Sequence, residues 1–380
     1  MAGIYIHIPY CRQACHYCNF HFSVSHRHKP QFLDCLVKEI EIQKGFFSNG
    51  SESEKTYLDT IYLGGGTPSV LRQQDLIRIF ERLSKFFDFD RNTEVTIEAN
   101  PDDLTYEKLL AINQTPINRL SIGIQSFHYP DLEYMNRIHS PCQALQAIKN
   151  AQKVGFENIS VDLIYGTPTM NDRHWEKNLM RVIDMEVPHI SAYALTVEDK
   201  TPLEVFIRKG KMPPVEEEQT ARQFHTMLEI LANYGYEQYE ISNFSQPGFY
   251  SRHNLCYWNG TPYLGLGPSS HSFRENRRSW NIANTSRYIQ SIEKGELPME
   301  SETLSEDQRF DEYVMTSLRT SWGCNLDYVE ETFGEEKLRA LRKNAARHIR
   351  NNTLKEENGR LILTTKGKFL ADGIASDLFI

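Results

Sequence analysis

Short strand-like runs alternate with helical stretches through the first half of this chain, and that rhythm leaves few folds open. Gly3 to Ile8 puts Ile4, Ile6 and Ile8 on one face at a period of two. Phe32, Leu33, Leu36, Val37 and Ile40 then recur at helical spacing. Five more strands are predicted at Thr60–Leu63, Glu94–Glu98, Asn118–Gly123, Ile159–Ile164 and His189–Leu195. The intervening segments 73–86, 104–112, 142–154 and 173–185 read as helices. Such β-α units in series require a parallel sheet with right-handed crossovers. The fold class is therefore α/β, with a partial (βα)6 barrel expected over residues 1–200.

The character changes twice beyond that point. Pro202, Pro213, Pro214 and the run Glu216-Glu217-Glu218 mark a break, followed by a helix near 216–234. Residues 201–299 read as an α+β extension, with an aromatic strand-like segment from Tyr234 to Phe244 and a loop from Gly260 to Gly267. Residues 300–380 read as helices, a hairpin at 354–364 turning on Asn358-Gly359, and a final helix over 365–378. That order resembles a winged-helix domain.

Composition limits the partners. With 42 Lys+Arg against 50 Asp+Glu the net charge is −8, so a broad attraction to nucleic acid or anionic membrane is not expected. The basic stretch from Lys337 to Arg350 reads as a solvated helix face. No apolar run approaches the roughly 18 residues of a membrane span, and no secretory signal is visible. Seven cysteines, three clustered and four scattered, fit a reducing cytoplasm better than a disulfide scaffold.

Chemistry-bearing residues gather at the ends of the predicted strands, where parallel barrels carry their active sites. Cys11, Cys15 and Cys18 follow the first strand as C-x3-C-x2-C. Three thiolates at this spacing suit a [4Fe-4S] cluster with one iron left open. The alternatives are buried free thiols, a redox dithiol, and a zinc knuckle completed by His16, His21, His26 or His28. Gly64-Gly65-Gly66-Thr67-Pro68 follows the second strand, either as a plain turn or as a backbone that approaches a ligand closely. Taken singly, Glu98 reads as a strand-end carboxylate, Gln125 as a turn residue and Asp162 as a helix cap.

The cysteine triplet, with Tyr17 at the aromatic position before its last member, resembles the signature of the radical S-adenosylmethionine (SAM) superfamily. In that superfamily SAM chelates the open iron and an electron from the cluster cleaves its S–C5′ bond. The order of the other residues resembles the oxygen-independent coproporphyrinogen III oxidase family. The resemblance implies that Tyr5, Gly65, Gly66, Thr67, Glu98, Gln125, Arg137 and Asp162 line a SAM site. The oxidases proper carry a fourth cysteine where this chain has Phe20. Cys18-Asn19-Phe20 instead resembles the HemW branch, as does the H-N-x-x-Y-W run His253-Asn254-Leu255-Cys256-Tyr257-Trp258.

That branch implies a heme chaperone with His253 associated with heme and Tyr257 and Trp258 flanking the macrocycle. The plainer reading makes His253 and Asn254 hydrogen-bonded loop residues and the aromatics core. The resemblance also implies heme-acceptor proteins, membrane-bound respiratory proteins among them. An electron donor such as flavodoxin or ferredoxin, a homodimer, and peripheral membrane association of a cytoplasmic protein belong to the same picture. Porphyrin biosynthesis by oxidative decarboxylation is the competing function.

Overall fold

The computed structural model describes residues 2–48 and 55–380. Its six principal strands are β1 (Gly3–Ile8), β2 (Thr60–Gly65), β3 (Glu94–Ala99), β4 (Arg119–Gln125), β5 (Asn158–Tyr165) and β6 (His189–Ala194). They pair in chain order, every pair parallel. Helices α1 (Lys29–Ile42), α2 (Gln73–Phe86), α3 (Tyr106–Asn113), α4 (Pro141–Val154) and α5 (Asp172–Asp184) make the crossovers. The predicted strand and helix positions hold to within a few residues. Local chemistry sets several ends. Ser140 and Gln143 form a capping box with Pro141 opening α4, and Gly155 closes it at φ 104°.

Period two explains how the sheet uses its two faces. Ile4, Ile6 and Ile8, Ile61 and Leu63, Val95 and Ile97, and Leu120, Ile122 and Ile124 are fully buried in the layer shared with the helices. The alternate positions carry Tyr5 and His7, Tyr62, Glu94 and Glu98, Arg119 and Ser121, Asp162, and His189 and Ser191. These face inward, so the concave side of the sheet is polar.

The sheet is open and continues beyond the six units. On one side lie β7 (Glu237–Glu240) and β8 (Asn243–Ser245), after helix α6 (Glu217–Asn233). On the other, β9 (Tyr263–Leu266), β10 (His271–Arg274), β11 (Arg277–Asn281) and β12 (Met299–Thr303) extend from β1. Helices α7 (Arg252–Trp258) and α8 (Thr285–Glu293) belong to the same segment. The fully buried Glu39 of α1 ties it down, accepting from Gly267 N, Asn281 Nδ2 and the Tyr288 hydroxyl.

Residues 260–267, expected as loop, contain strand β9. It pairs parallel to β1, Gly3 opposite Tyr263 and Ile6 opposite Leu266. The glycines misled because those that turn the chain, Gly260 at φ 63° and Gly267 at φ 90°, only bracket the strand. Gly265 is there for space: a Cβ would collide with the His271 carbonyl oxygen.

The C-terminal unit has its own core, with Phe310, Val314, Leu341, Leu361 and Leu378 in it. Helices α9 (Glu306–Leu318) and α10 (Leu326–Arg350) precede the hairpin β14 (Leu354–Glu357) and β15 (Arg360–Leu363), to which the short strand β13 (Cys324–Asn325) pairs. Asn358 and Gly359 turn the hairpin with φ 51° and 70°, as that dipeptide predicts. Helix α10 is broken at Gly334, φ 86°. The expected helix over 365–378 is two short ones, Thr365–Lys368 and Ala371–Asp377. The first piece packs against the hairpin's start, where a Cβ at Gly367 would collide with the Thr353 carbonyl.

Gly265→Ala is therefore expected to destabilise the protein by about 1–3 kcal/mol, the usual range for an added methyl in a close-packed site. Urea unfolding checks this, with Gly210→Ala, where a Cβ meets open space, as the strained but uncrowded control.

Candidate functional site

β1 runs directly into the cysteine loop at its C-terminal end. The loop closes on itself: Ser23 N donates to Pro9 O at 2.8 Å and Cys11 N to Ser23 O at 3.0 Å. Neighbouring histidines brace it. His7 Nε2 bonds the His21 carbonyl, His21 Nε2 bonds the Thr285 hydroxyl, His26 Nε2 bonds the Cys11 carbonyl, and His16 Nδ1 bonds the Tyr134 carbonyl. These bonds engage three of the four histidines, His16, His21 and His26, from which the zinc alternative would draw its one further ligand.

Two side chains from other strand ends reach the thiols. The Thr67 hydroxyl donates to Cys11 Sγ at 3.3 Å, and Arg137 Nη1 donates to Cys15 Sγ at 3.4 Å. Asn100 links those two, its Nδ2 donating to the Thr67 hydroxyl and its Oδ1 accepting from Arg137 Nη2 at 2.7 Å. Arg137 Nη2 also donates to Gly123 O, while its Nε is buried without a partner. Burial pushes the Cys11 thiol up and Cys18 to about 11. Loading a metal cluster would release those protons, and the Thr67 and Arg137 donors would stabilise the thiolates.

The glycine run packs against this loop. Gly66 N donates to Ile8 O at 2.9 Å, and a Cβ there would stand 2.9 Å from Ile8 O and Tyr10 N. Gly65 adopts φ 109° and donates its amide to Glu98 Oε2 at 3.1 Å. Across the edge, Gln125 sits at a bulge in β4 with φ 65°, a conformation costly for a non-glycine residue. Tyr17 packs its ring on an apolar group with Leu132, Met135, Ile164, Leu195 and Leu203, its hydroxyl beside Cys15 and Arg137.

Below this rim lies a cavity of about 200 Å³ inside the barrel. Tyr5, Glu98, Arg119, Asp162, His189 and His253 line it, with Tyr62 and Ser191. The Tyr62 hydroxyl donates to Glu98 Oε1 at 2.8 Å, and Ser121 donates to Asp162. Burial pushes Glu98 up to about 7 against its bonds from Tyr62 and Gly65, and Asp162 adds to the rise. Asp162 is raised as well, chiefly by burial.

His253 enters from the opposite end. Helix α7 lies across the N-terminal ends of the strands, where Glu94 Oε2 and Oε1 accept from the amides of Arg252 and His253 at 3.0 and 2.9 Å. The imidazole is 1% exposed and stacks on Tyr62 at 5.1 Å. Its Nδ1 bonds the Thr60 hydroxyl at 2.8 Å and its Nε2 the Tyr257 hydroxyl at 3.0 Å. Burial, then the charge of Arg119, lowers its pKa to about 3, so it stays neutral. Trp258 Nε1 donates to Asn254, and the Arg319 guanidinium stands 5.2 Å over the indole.

The predicted residues thus fall into three places. Cys11, Cys15, Cys18, Gly65, Gly66, Thr67, Gln125 and Arg137 share the rim; Tyr5, Glu98, Asp162 and His253 share the cavity; Tyr17 packs behind the rim. Sequence reasoning missed Tyr62, Asn100, Arg119 and His189. Each lies in or beside a run that looks simply apolar, and only inward alternation signals them.

The residues fit a cluster with SAM. Among the described residues no three His, Cys, Asp or Glu side chains converge on one ion. Cluster thiolates bind separate irons and need no common point. The three thiols, two hydrogen-bond donors aimed at them, and an arginine as counter-charge make a suitable donor set. Glu98 and Asp162 beneath offer acceptors for hydroxyl groups.

The Radical SAM superfamily model matches residues 5–182, and the HemN C-terminal domain model matches residues 304–370. The chain is 30% identical over 378 residues to "Heme chaperone HemW" of Bacillus subtilis, covering 98% of each. It is 31% identical to "Heme chaperone HemW" of Lactococcus lactis, covering 97% of each. Among solved structures, the coproporphyrinogen III oxidase HemN of Escherichia coli superposes with a TM-score of 0.85 at 22% identity, over 100% of this chain and 90% of that one. That likeness establishes the fold. No helix among the described residues is long and apolar enough to cross a membrane.

Because folding raises the Glu98 pKa, its stabilising share is present below the ordinary carboxylate range and lost as pH rises through about 7. Glu98→Gln in the protein free of cluster and SAM should therefore gain on wild type between pH 5 and pH 8, by at most a few kcal/mol at about 1.4 kcal/mol per pH unit. Urea midpoints at the two pH values measure it; an equal gap at both would refute the assignment.

Proposed function

The chain belongs to the HemW family, within the radical SAM superfamily, and on that premise we propose that it is a heme chaperone that passes heme to acceptor proteins. The observation that carries the reading is the helix His253-Asn254-Leu255-Cys256-Tyr257-Trp258 in a chain that matches HemW relatives from end to end.

In this reading Cys11, Cys15 and Cys18 hold a [4Fe-4S] cluster, and bound cluster and SAM supply one-electron chemistry. Thr67 and Arg137 stabilise the thiolates. Gly65 and Gly66 offer backbone to SAM, and Glu98 and Asp162 accept from its hydroxyls. Gln125 borders the same pocket, with Tyr5 and Tyr17 packing around it. His253 serves heme through Tyr257, whose hydroxyl it orients. A donor such as flavodoxin or ferredoxin would reduce the cluster, and the acceptors would include membrane-bound respiratory proteins.

Oxidative decarboxylation of coproporphyrinogen III is not favoured. Phe20 stands where the oxidases carry cysteine, and its ring is 69% exposed.

Cluster-loaded protein is expected to bind hemin with a shifted Soret band that an unrelated acidic protein does not give. The Cys11, Cys15 and Cys18→Ala variant should lose iron and sulfide yet keep hemin binding, because α7 lies at the far end of the barrel. Anaerobic incubation with coproporphyrinogen III, SAM and reductant should yield no protoporphyrinogen; a yield above background would restore the decarboxylase reading.

A further inference from the structure

A cleft of about 810 Å³ lies on the outer side of α7, between β9–β11 and the C-terminal unit. Tyr257, Trp258 and Tyr263 line one wall, and Tyr313, Trp322 and Tyr328 the other. The volume is four times that of the barrel cavity and falls within the roughly 300–1,000 Å³ typical of ligand sites. Trp322, Tyr328 and Met315 line it while remaining 40%, 43% and 39% exposed. Large apolar side chains left this open around a recess are unusual unless something covers them.

Glu275 and Glu312 also line the cleft but are paired with Arg274 and Arg278, so the charge left to attract a ligand is a cation. Of the three arginines lining the cleft, Arg278 is paired with Glu302 and Glu312. Arg360 donates to the Trp322 carbonyl. Arg309 pairs with no carboxylate among the described residues, and its Nε is buried without a hydrogen-bond partner. Arg309 is half-exposed, but a buried Nε–H left unsatisfied is costly, and a carboxylate is its natural complement. Aromatic walls, room for a large flat ring, and a free guanidinium together match a planar macrocycle that carries carboxylates. Met315 and the phenols of Tyr257, Tyr313 and Tyr328 offer thioether and phenol ligands to an iron.

We propose that heme is held in this cleft, with Arg309 on a propionate and Trp322 against the ring, rather than on His253. The inference rests on the chaperone reading and names its site. Tyr257 lines both the cleft and the barrel cavity, so His253 lies one hydrogen bond behind the heme.

The test is hemin titration of the full-length, cluster-loaded protein against Arg309→Gln, Arg309→Lys and Trp322→Ala, all at partly exposed positions. Circular dichroism establishes that each is folded. Arg309→Gln and Trp322→Ala should each weaken hemin about tenfold, roughly one charge-assisted bond or one aromatic contact. Arg309→Lys should recover part of the loss. Wild-type affinity in both Arg309→Gln and Trp322→Ala would overturn the cleft while leaving the chaperone reading intact. Absence of hemin binding by wild type would overturn both. A change confined to the elution volume on sizing would mean that a second copy covers the cleft, and would also overturn it.

Discussion

Strand alternation in a parallel barrel forces one set of side chains to share the lumen, and in this protein that set is polar. Glu98, Asp162, Arg119, His189 and His253 all line one small cavity. An isolated charge there would cost several kcal/mol. The structure answers with hydrogen bonds, with acidic groups pushed toward their neutral forms and with histidines held neutral. A ligand that brings hydroxyls and a positive centre relieves the same stress.

Much of this was legible beforehand. The six strands and their helices follow from period, because each strand buries one apolar face under helices and that face repeats cleanly. The rim residues were legible because cysteines, a glycine run and lone carboxylates are conspicuous at strand ends. Strand β9 was not, since Gly265 reads as a turn when its purpose is clearance for His271. Arg119 and Tyr62 were hidden inside strands, where a polar residue ordinarily suggests a solvent face. The capping of α7 by Glu94 joins residues 158 and 159 positions apart, and no local pattern reports such a contact.

The two ends of the barrel hold different chemistry. Cysteines, glycines and Arg137 stand at the C-terminal ends of the strands; α7 and its cleft stand at the N-terminal ends. A strand of six residues separates them by about 17–20 Å. β3 touches both, with Glu94 bonding α7 and Glu98 bonding Gly65. Heme in the cleft would lie outside the reach of an atom-transfer step at the rim, so the barrel can carry a redox group and a cargo without reacting one with the other.

The pairing of β9 with β1 also sets a timetable for biosynthesis. Once made, β1 waits about 260 residues of synthesis for its second neighbour, roughly 13–50 s at 5–20 residues per second. Until then β1 is a bare edge, and the cysteine loop that follows it lacks Thr285, which anchors His21. The cysteine loop is thus made well over 200 residues before the segment that encloses it. Cluster delivery to the nascent chain would meet an accessible loop, and delivery after release would meet a braced one.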